Sequence, residues 1–439
     1  MSEVEDPTPA TTDTGEHDEP MTAAAARKAE LALPPDIAAD SISGYLRTSL
    51  ARVKAGESGV LPVVGGLLLI SILFQSLNGN FLTAGNLVNL LVQAAVFSLL
   101  AMAEIFVLLL GEIDLSVGFV AAISGAFMAT RISPSHDWPW PLAVAVALLI
   151  CAGIGLLQGT IITRIGLPSF VVTLAGLLFW EGVLLKILGS GGSQPINNTA
   201  INDIASRALT PTVGWIMMLV LVGLYGGMVW MRDSKRRKAG LVAPPPRVTL
   251  LKIAGALAAG VALVLLCNTN RGILVPIRGV PWVVLLVLAV LVIWTFLLGR
   301  TKLGRYIYAI GGNAEAARRA GVNVGGVRTL AFMLCSFTAG IAGIVYASRL
   351  RSVSTNLDGG TLVLYAVAAA VIGGTSLFGG RGKPLHAVLG GIVIAAIANG
   401  MGLLGMAAAT QLIVTALVLL AAVTIDAVAR RGRTAAGTR

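Results

Sequence analysis

The chain has 439 residues, of which 56% are hydrophobic and 12% are charged, with a formal net charge of +11 and a mean hydropathy of +0.85. Soluble domains carry about 25% charged residues, and a single soluble core stops growing at roughly 250–300 residues. The composition therefore excludes an ordinary soluble protein. In a membrane protein a basic excess indicates cytoplasmic loops, so we expect a lipid bilayer and no nucleic acid as its partner.

The N-terminal region differs from the rest of the chain. Residues 1–35 are rich in Pro, Thr, Glu and Ala, with acids but no Lys or Arg among the first twenty, and we expect a disordered acidic tail there. Residues 36–58 place apolar side chains near helical spacing with basic residues between them, which predicts an amphipathic helix at the membrane surface. Residues 59–430 form the predicted membrane domain, and residues 431–439 a basic cytoplasmic tail.

Apolar runs of roughly 18–25 residues recur through the membrane domain, each long enough to cross a bilayer. The fold class is thus an all-α polytopic bundle of about 10–12 transmembrane helices with broken or re-entrant segments. The predicted spans are 59–76, 87–110, 112–131, 139–163, 167–188, 210–231, 250–267, 281–299, 329–348, 361–379, 384–405 and 410–428.

The basic residues predict the orientation of these spans. If the N-terminus is inside, 25 of the 32 Lys and Arg residues fall on the inner side, counting Lys252 at an inner helix end, and seven fall outside. This distribution follows the positive-inside rule, and both termini are predicted to be cytoplasmic.

The second and third spans are separated by "GEIDLSVG", residues 111–118, which contains two acids. Backbone groups in a break within lipid must be satisfied by protein or water. Glu112 and Asp114 are therefore candidates for lining a translocation pathway. The alternative is a helix cap, and Asp114 is well placed to cap a helix that begins at Leu115.

A second broken segment occupies residues 371–391, where Gly373, Gly374 and Thr375 interrupt an apolar run. Interrupted helices in corresponding halves of a transporter indicate a transport site between repeats, so the pair suggests a two-fold internal repeat. Gln93, Thr173 and Asn399 are further candidates for the pathway, with helix–helix hydrogen bonding as the alternative.

Residues 300–328 form a basic loop that contains a short predicted helix, with Asn313 as its cap and Gly321 at its end. Gly311 and Gly312 are expected to make the turn that leads into it. Such a helix either is solvated or docks on another protein. The candidate docking residues are Gly311, Gly312, Asn313, Glu315, Ala316, Ala317, Arg318 and Gly321.

Five stretches carry a family resemblance: "GEIDLSVG", "LPSFVVTLAGLLFWEGVLL", "GRYIYAIGGNAEAARRAGVNV", "ASRL" and "VIGGTSLFGG". In order and spacing they resemble the permease subunits of bacterial ATP-binding-cassette monosaccharide importers of the ribose/xylose type, and most of all the D-xylose permeases. The resemblance covers residues 59–430. Arg381 and Lys383 depart from its pattern, as does the long acidic tail.

The resemblance implies a coupling helix at residues 311–321 that docks on an ATPase subunit. It also implies an extracytoplasmic sugar-binding protein, a permease homodimer, a monosaccharide substrate and a bacterial cytoplasmic membrane. The stretch "FGGRGKP" is not a phosphate-binding loop, because Pro384 stands where Ser or Thr is needed. We therefore expect no enzyme activity, cofactor or metal in this chain, with ATP bound by the partner; an ion-driven carrier and a membrane-embedded enzyme are the alternative classes.

Overall fold

The computed structural model describes residue 44 and residues 60–272, 275–355 and 359–435. The predicted tail 1–35 and the surface helix 36–58 lie outside the described residues except for Gly44, as does the end of the tail 431–439. The helices in these ranges are α1 (Val60–Leu77), α2 (Ala84–Leu108), α3 (Val117–Arg131), α4 (Trp140–Ile165), α5 (Ser169–Leu188), α6 (Thr199–Ser206), α7 (Pro211–Lys238), α8 (Pro246–Asn268), α9 (Trp282–Arg300), α10 (Lys302–Gly312), α11 (Ala314–Arg319), α12 (Val324–Leu350), α13 (Gly359–Ile372), α14 (Pro384–Leu403) and α15 (Ala408–Ala435).

Each of the twelve predicted spans overlaps one of these helices, which confirms the all-α polytopic fold. The predicted start of the third span at residue 112 and the predicted end of the tenth at residue 379 were wrong, because α3 begins at Val117 and α13 ends at Ile372. Eight helices in the described ranges are long and apolar enough to cross a membrane. They are α2, α4, α5, α7, α8, α9, α12 and α14. The other four predicted spans correspond to shorter apolar helices in α1, α3, α13 and α15.

The described residues form two compact units. The smaller contains Gly227–Lys252, and the larger contains the described residues 60–226 and 253–435. Within the smaller unit the buried Asp233 carboxylate accepts hydrogen bonds from Arg232 Nε at 2.9 Å and from Thr249 Oγ1 at 3.0 Å. These bonds connect the end of α7 to the start of α8.

The core of the larger unit lies around α2, α12 and α14, whose apolar stretches are 83%, 67% and 61% buried. By contrast, α4, α5 and α9 bury less than a third of their apolar stretches. Exposed faces of Leu, Ile and Phe on this scale are typical of a surface covered by lipid and not by water.

Close helix packing in the core depends on glycines where α4 crosses α12. A Cβ atom placed on Gly155 would lie 2.3 Å from the carbonyl oxygen of Phe332, and one on Gly159 would lie 2.8 Å from Cα of Thr329. Small residues of this kind let two membrane helices approach to backbone contact.

The sequence did not predict three of the short elements between the long helices. Strands β1 (Ser193–Pro195) and β2 (Ser352–Ser354) pair antiparallel, and α6 follows β1. The predicted end of the sixth span at residue 231 was also wrong as a helix boundary, because α7 continues to Lys238. Lys and Arg have high helix propensity, so the helix persists beyond its apolar part.

Candidate functional site

The break between α2 and α3 begins with a glycine helix end. The amide of Gly111 donates to the carbonyl of Leu108 at 2.9 Å, and the amide of Glu112 donates to the carbonyl of Val107 at 3.0 Å. Gly111 has a φ of +77°, the left-handed conformation that this helix-ending motif requires. The predicted break in the helix is therefore present, and the chain is non-helical from Leu109 to Ser116.

Asp114 does not cap a helix at Leu115, and that prediction was wrong by two residues. Its Oδ1 accepts the Ser116 amide at 2.9 Å and the Ser116 hydroxyl at 2.6 Å, which forms an Asx turn. Because this turn occupies residues 114–116, helix α3 starts at Val117. Asp114 is completely buried, so it does not lie at an exposed membrane interface.

Neighbouring helices form hydrogen bonds with some of the polar groups of the break. The Ser116 hydroxyl and the Gln158 side chain on α4 are hydrogen-bonded at about 3 Å. Thr173 on α5 donates to the carbonyl of Ile113 at 3.3 Å. The break is thus lined by protein, as backbone in a bilayer demands. The Thr173 contact is of the kind expected from the alternative, hydrogen bonding between helices. Gln158 was not identified from the sequence, although a lone amide in an apolar run is the same signal that identified Gln93.

Glu112 has a different partner. Its carboxylate accepts a hydrogen bond from Arg328 Nε, on the first turns of α12, and Glu112 is only 9% exposed. This pair joins the break to the helix that follows the basic loop. The sequence did not identify Arg328 as a site residue, although a cation at the start of an apolar span requires a partner.

The second break lies between α13 and α14. Gly374 (φ +102°) and Thr375 end α13 with the same bond pattern that ends α2: the Gly374 amide donates to Val371 and the Thr375 amide to Ala370. Gly373 lies against the start of α14, because a Cβ placed on it would be 2.0 Å from the carbonyl oxygen of His386. Gly321 ends α11 with the same bond pattern, outside the two breaks. This glycine helix end is therefore not by itself evidence of an internal repeat.

The two broken segments are in direct contact. The Gly380 amide donates to the carbonyl of Leu109 at 2.8 Å. Glu112, Asp114 and Thr173 thus belong to one region with the second break. Their predicted role in a pathway stays a prediction.

Gln93 and Asn399 lie away from this region. Gln93 precedes Leu109 by more than four turns of α2, about 24 Å along the helix axis. Asn399 on α14 exchanges side-chain hydrogen bonds with Asn86 on α2 at 2.8 and 3.0 Å. The helix–helix alternative therefore accounts for the polarity of Asn399.

The basic loop contains two helices. Gly311 and Gly312 are the last residues of α10 and do not form a turn, so that expectation was wrong: α10 continues up to Asn313, which is extended. The Asn313 side chain caps α11 by accepting the Ala316 amide at 2.9 Å, as predicted. Gly311 packs against the Leu109 carbonyl, whereas Gly312 has no neighbour within 4 Å of an added Cβ.

Helix α11 presents a charged outer surface. Glu315 pairs with Arg318 at 2.9 Å and with Arg319 at 3.3 Å, and all three side chains are more than half exposed. Ala316 is exposed as well, and Ala317 packs inward. A short capped helix of this kind can enter a groove on another protein without rearranging.

A family model described as "Branched-chain amino acid transport system / permease component" matches residues 86–423, well over half of the chain. The chain belongs to this permease family.

The relatives of this permease include sugar permeases. The chain is 34% identical over 380 residues to the xylose transport system permease protein XylH of Escherichia coli K12. The aligned residues cover 86% of this chain and 94% of the relative. The chain is also 31% identical to the ribose import permease protein RbsC of the same strain, with an alignment that covers 82% of this chain and 91% of that relative. The resemblance to permeases of the ribose/xylose type is confirmed, and no solved structure matches the permease.

Proposed function

We propose that the chain is the membrane-spanning subunit of an ATP-binding-cassette importer that carries a monosaccharide, with D-xylose the first candidate, into a bacterial cell. The observation that carries the proposal is the 34% identity to xylose permeases along 86% of the chain. Ribose, galactose or another monosaccharide is the alternative substrate within the same class.

The partners follow from the permease role. An ATPase subunit would receive α11 in a cleft, an extracytoplasmic binding protein would deliver the sugar, and a second copy of the permease would complete the pathway. The capped and exposed α11 supports the first of these, because its charged residues face away from the core. The distribution of basic residues supports a cytoplasmic position for α11 and for both termini.

The proposal assigns the permease a change of access and no covalent chemistry. When the ATPase dimer closes, it would push α11 and tilt the spans, which opens the pathway to the other side. Neutral sugars are recognised by hydrogen-bond donors and acceptors, so a pathway near the two breaks can use side chains such as Thr173 and backbone groups.

The experiment is uptake of labelled D-xylose by vesicles that contain the permease with its ATPase and binding protein. We expect uptake that requires ATP and continues when a protonophore collapses the ion gradient. Uptake that follows the ion gradient without ATP would contradict the proposal and favour an ion-driven carrier. ATP-dependent uptake of another sugar alone would overturn only the choice of xylose.

A further inference from the structure

Three glycine-containing backbone segments meet at one point in the larger unit: Leu109–Gly111, Gly311–Gly312 and Phe378–Gly380. We call this contact the glycine junction. The first segment begins the break after α2, the second ends α10, and the third lies in the break after α13.

Gly311 occupies the centre of the glycine junction. A Cβ atom placed on Gly311 would lie 1.8 Å from the carbonyl oxygen of Leu109 and 2.6 Å from the amide nitrogen of Gly380. Gly379 is similarly enclosed, because its Cβ would lie 2.9 Å from the carbonyl oxygen of Gly311 and 3.0 Å from the amide nitrogen of Gly111. Only glycine permits three backbones to approach this closely.

Direct backbone contact has a mechanical consequence. Side chains between two helices can change rotamer and absorb a displacement, but backbones in van der Waals contact cannot. Since the interior is close-packed, a shift of α10 must displace the segments on both sides of Gly311.

Two further contacts tie the basic loop to the breaks. The Tyr308 hydroxyl on α10 donates to the carbonyl of Gly382 at 2.7 Å. Burial raises the pKa of Tyr308 above its usual range, so this hydroxyl keeps its proton and remains a donor at neutral pH. At the other end of the loop, Arg328 pairs with Glu112. The first break is thus attached to the loop on both sides of α11, through the Gly311–Leu109 contact before it and the Arg328–Glu112 pair after it.

We propose that the glycine junction transmits displacement of α11 to both breaks at once, with Gly311 and Tyr308 as its positioning residues. The inference rests on the proposed function, in which α11 is the helix moved by the ATPase. Only Asn313 separates α11 from the end of α10, so α10 follows when α11 moves.

Two glycines provide a matched test. A Cβ on Gly311 collides with two backbones, whereas a Cβ on Gly299, near the end of α9, meets no atom within 4 Å. Gly311→Ala and Gly299→Ala are compared in vesicles with the ATPase and binding protein, by measuring sugar uptake and ATP hydrolysis together. We expect Gly311→Ala to lower uptake per ATP hydrolysed about tenfold, because disturbed coupling networks lose roughly that much. Gly299→Ala should retain the wild-type ratio.

Tyr308→Phe tests the same route without adding an atom, and Tyr306→Phe is its control, since Tyr306 is exposed on the same helix. Loss of one hydrogen bond should lower uptake per ATP about fivefold for Tyr308→Phe and leave Tyr306→Phe unchanged. An unchanged ratio for Gly311→Ala would overturn the glycine junction as a transmission route. An unchanged ratio for Tyr308→Phe would overturn the proposed transmission through α10 to the second break, even if Gly311→Ala did not assemble. ATP-independent uptake by the wild type would instead defeat the proposed function.

Discussion

Only Ile113 separates Glu112 from Asp114, yet the two acids contact different parts of the protein. Asp114 organises the entry into α3 through Ser116, and Glu112 reaches across to Arg328 on α12. The sequence indicated both acids as candidate site residues, because an ionisable group within an apolar run is costly unless it has a partner or a function. It could not indicate Arg328 as a partner, since 216 residues separate the two and only the folded chain brings them together.

The Glu112–Arg328 pair should stabilise the permease. Replacement by Arg328→Met leaves the buried Glu112 carboxylate without its cation and should lower the free energy of unfolding by about 3 kcal/mol. Arg318→Met is the matched control, because it breaks an exposed ion pair and should cost less than about 0.5 kcal/mol. Thermal unfolding of the purified permease in detergent measures both. Equal effects of the two substitutions would contradict a structural role for the buried pair.

The long helices were predictable as elements because a bilayer admits few backbone structures. Chain in lipid must satisfy its own amides and carbonyls, so each apolar run of sufficient length becomes a helix. The start of α3 was not predictable, because it depends on the Asp114 carboxylate taking the Ser116 amide. Strands β1 and β2 were missed because residues 193–195 find their partner only at residues 352–354.

The packing of α4 against α12 at Gly155 can be tested by substitution. Gly155→Ala should destabilise the permease by about 2 kcal/mol, because the added methyl group collides with the α12 backbone at Phe332. Gly153→Ala, two residues earlier on α4, meets nothing within 4 Å and should be neutral or stabilising by up to ~1 kcal/mol. The melting temperatures of the two variants in detergent distinguish them. If Gly155→Ala melts no lower than Gly153→Ala, α4 does not contact α12 as described.

At the scale of the whole molecule, the sequence predicted the membrane class, the position of the two breaks and the helix in the basic loop. Those features follow from hydropathy, glycine placement and capping, which are local in sequence. The meeting of Gly111, Gly311 and Gly380 was not predictable, because each glycine alone resembles an ordinary helix end. The substrate was not predictable either, since the Ser116 and Thr173 hydroxyls at the first break donate to groups of the protein itself.

The central claim is that α11 couples ATP hydrolysis on a partner to sugar movement through this chain. Its most direct test compares Glu315→Ala with Lys302→Ala in vesicles that contain the ATPase and the binding protein. Both residues are exposed on the basic loop, but only Glu315 lies on α11. We predict that Glu315→Ala lowers ATP-driven sugar uptake about tenfold, the scale of a lost buried interfacial ion pair. Lys302→Ala should leave the uptake unchanged, and the amount of assembled permease should be the same in both variants. Wild-type uptake by Glu315→Ala, or equal loss in both variants, would contradict the claim.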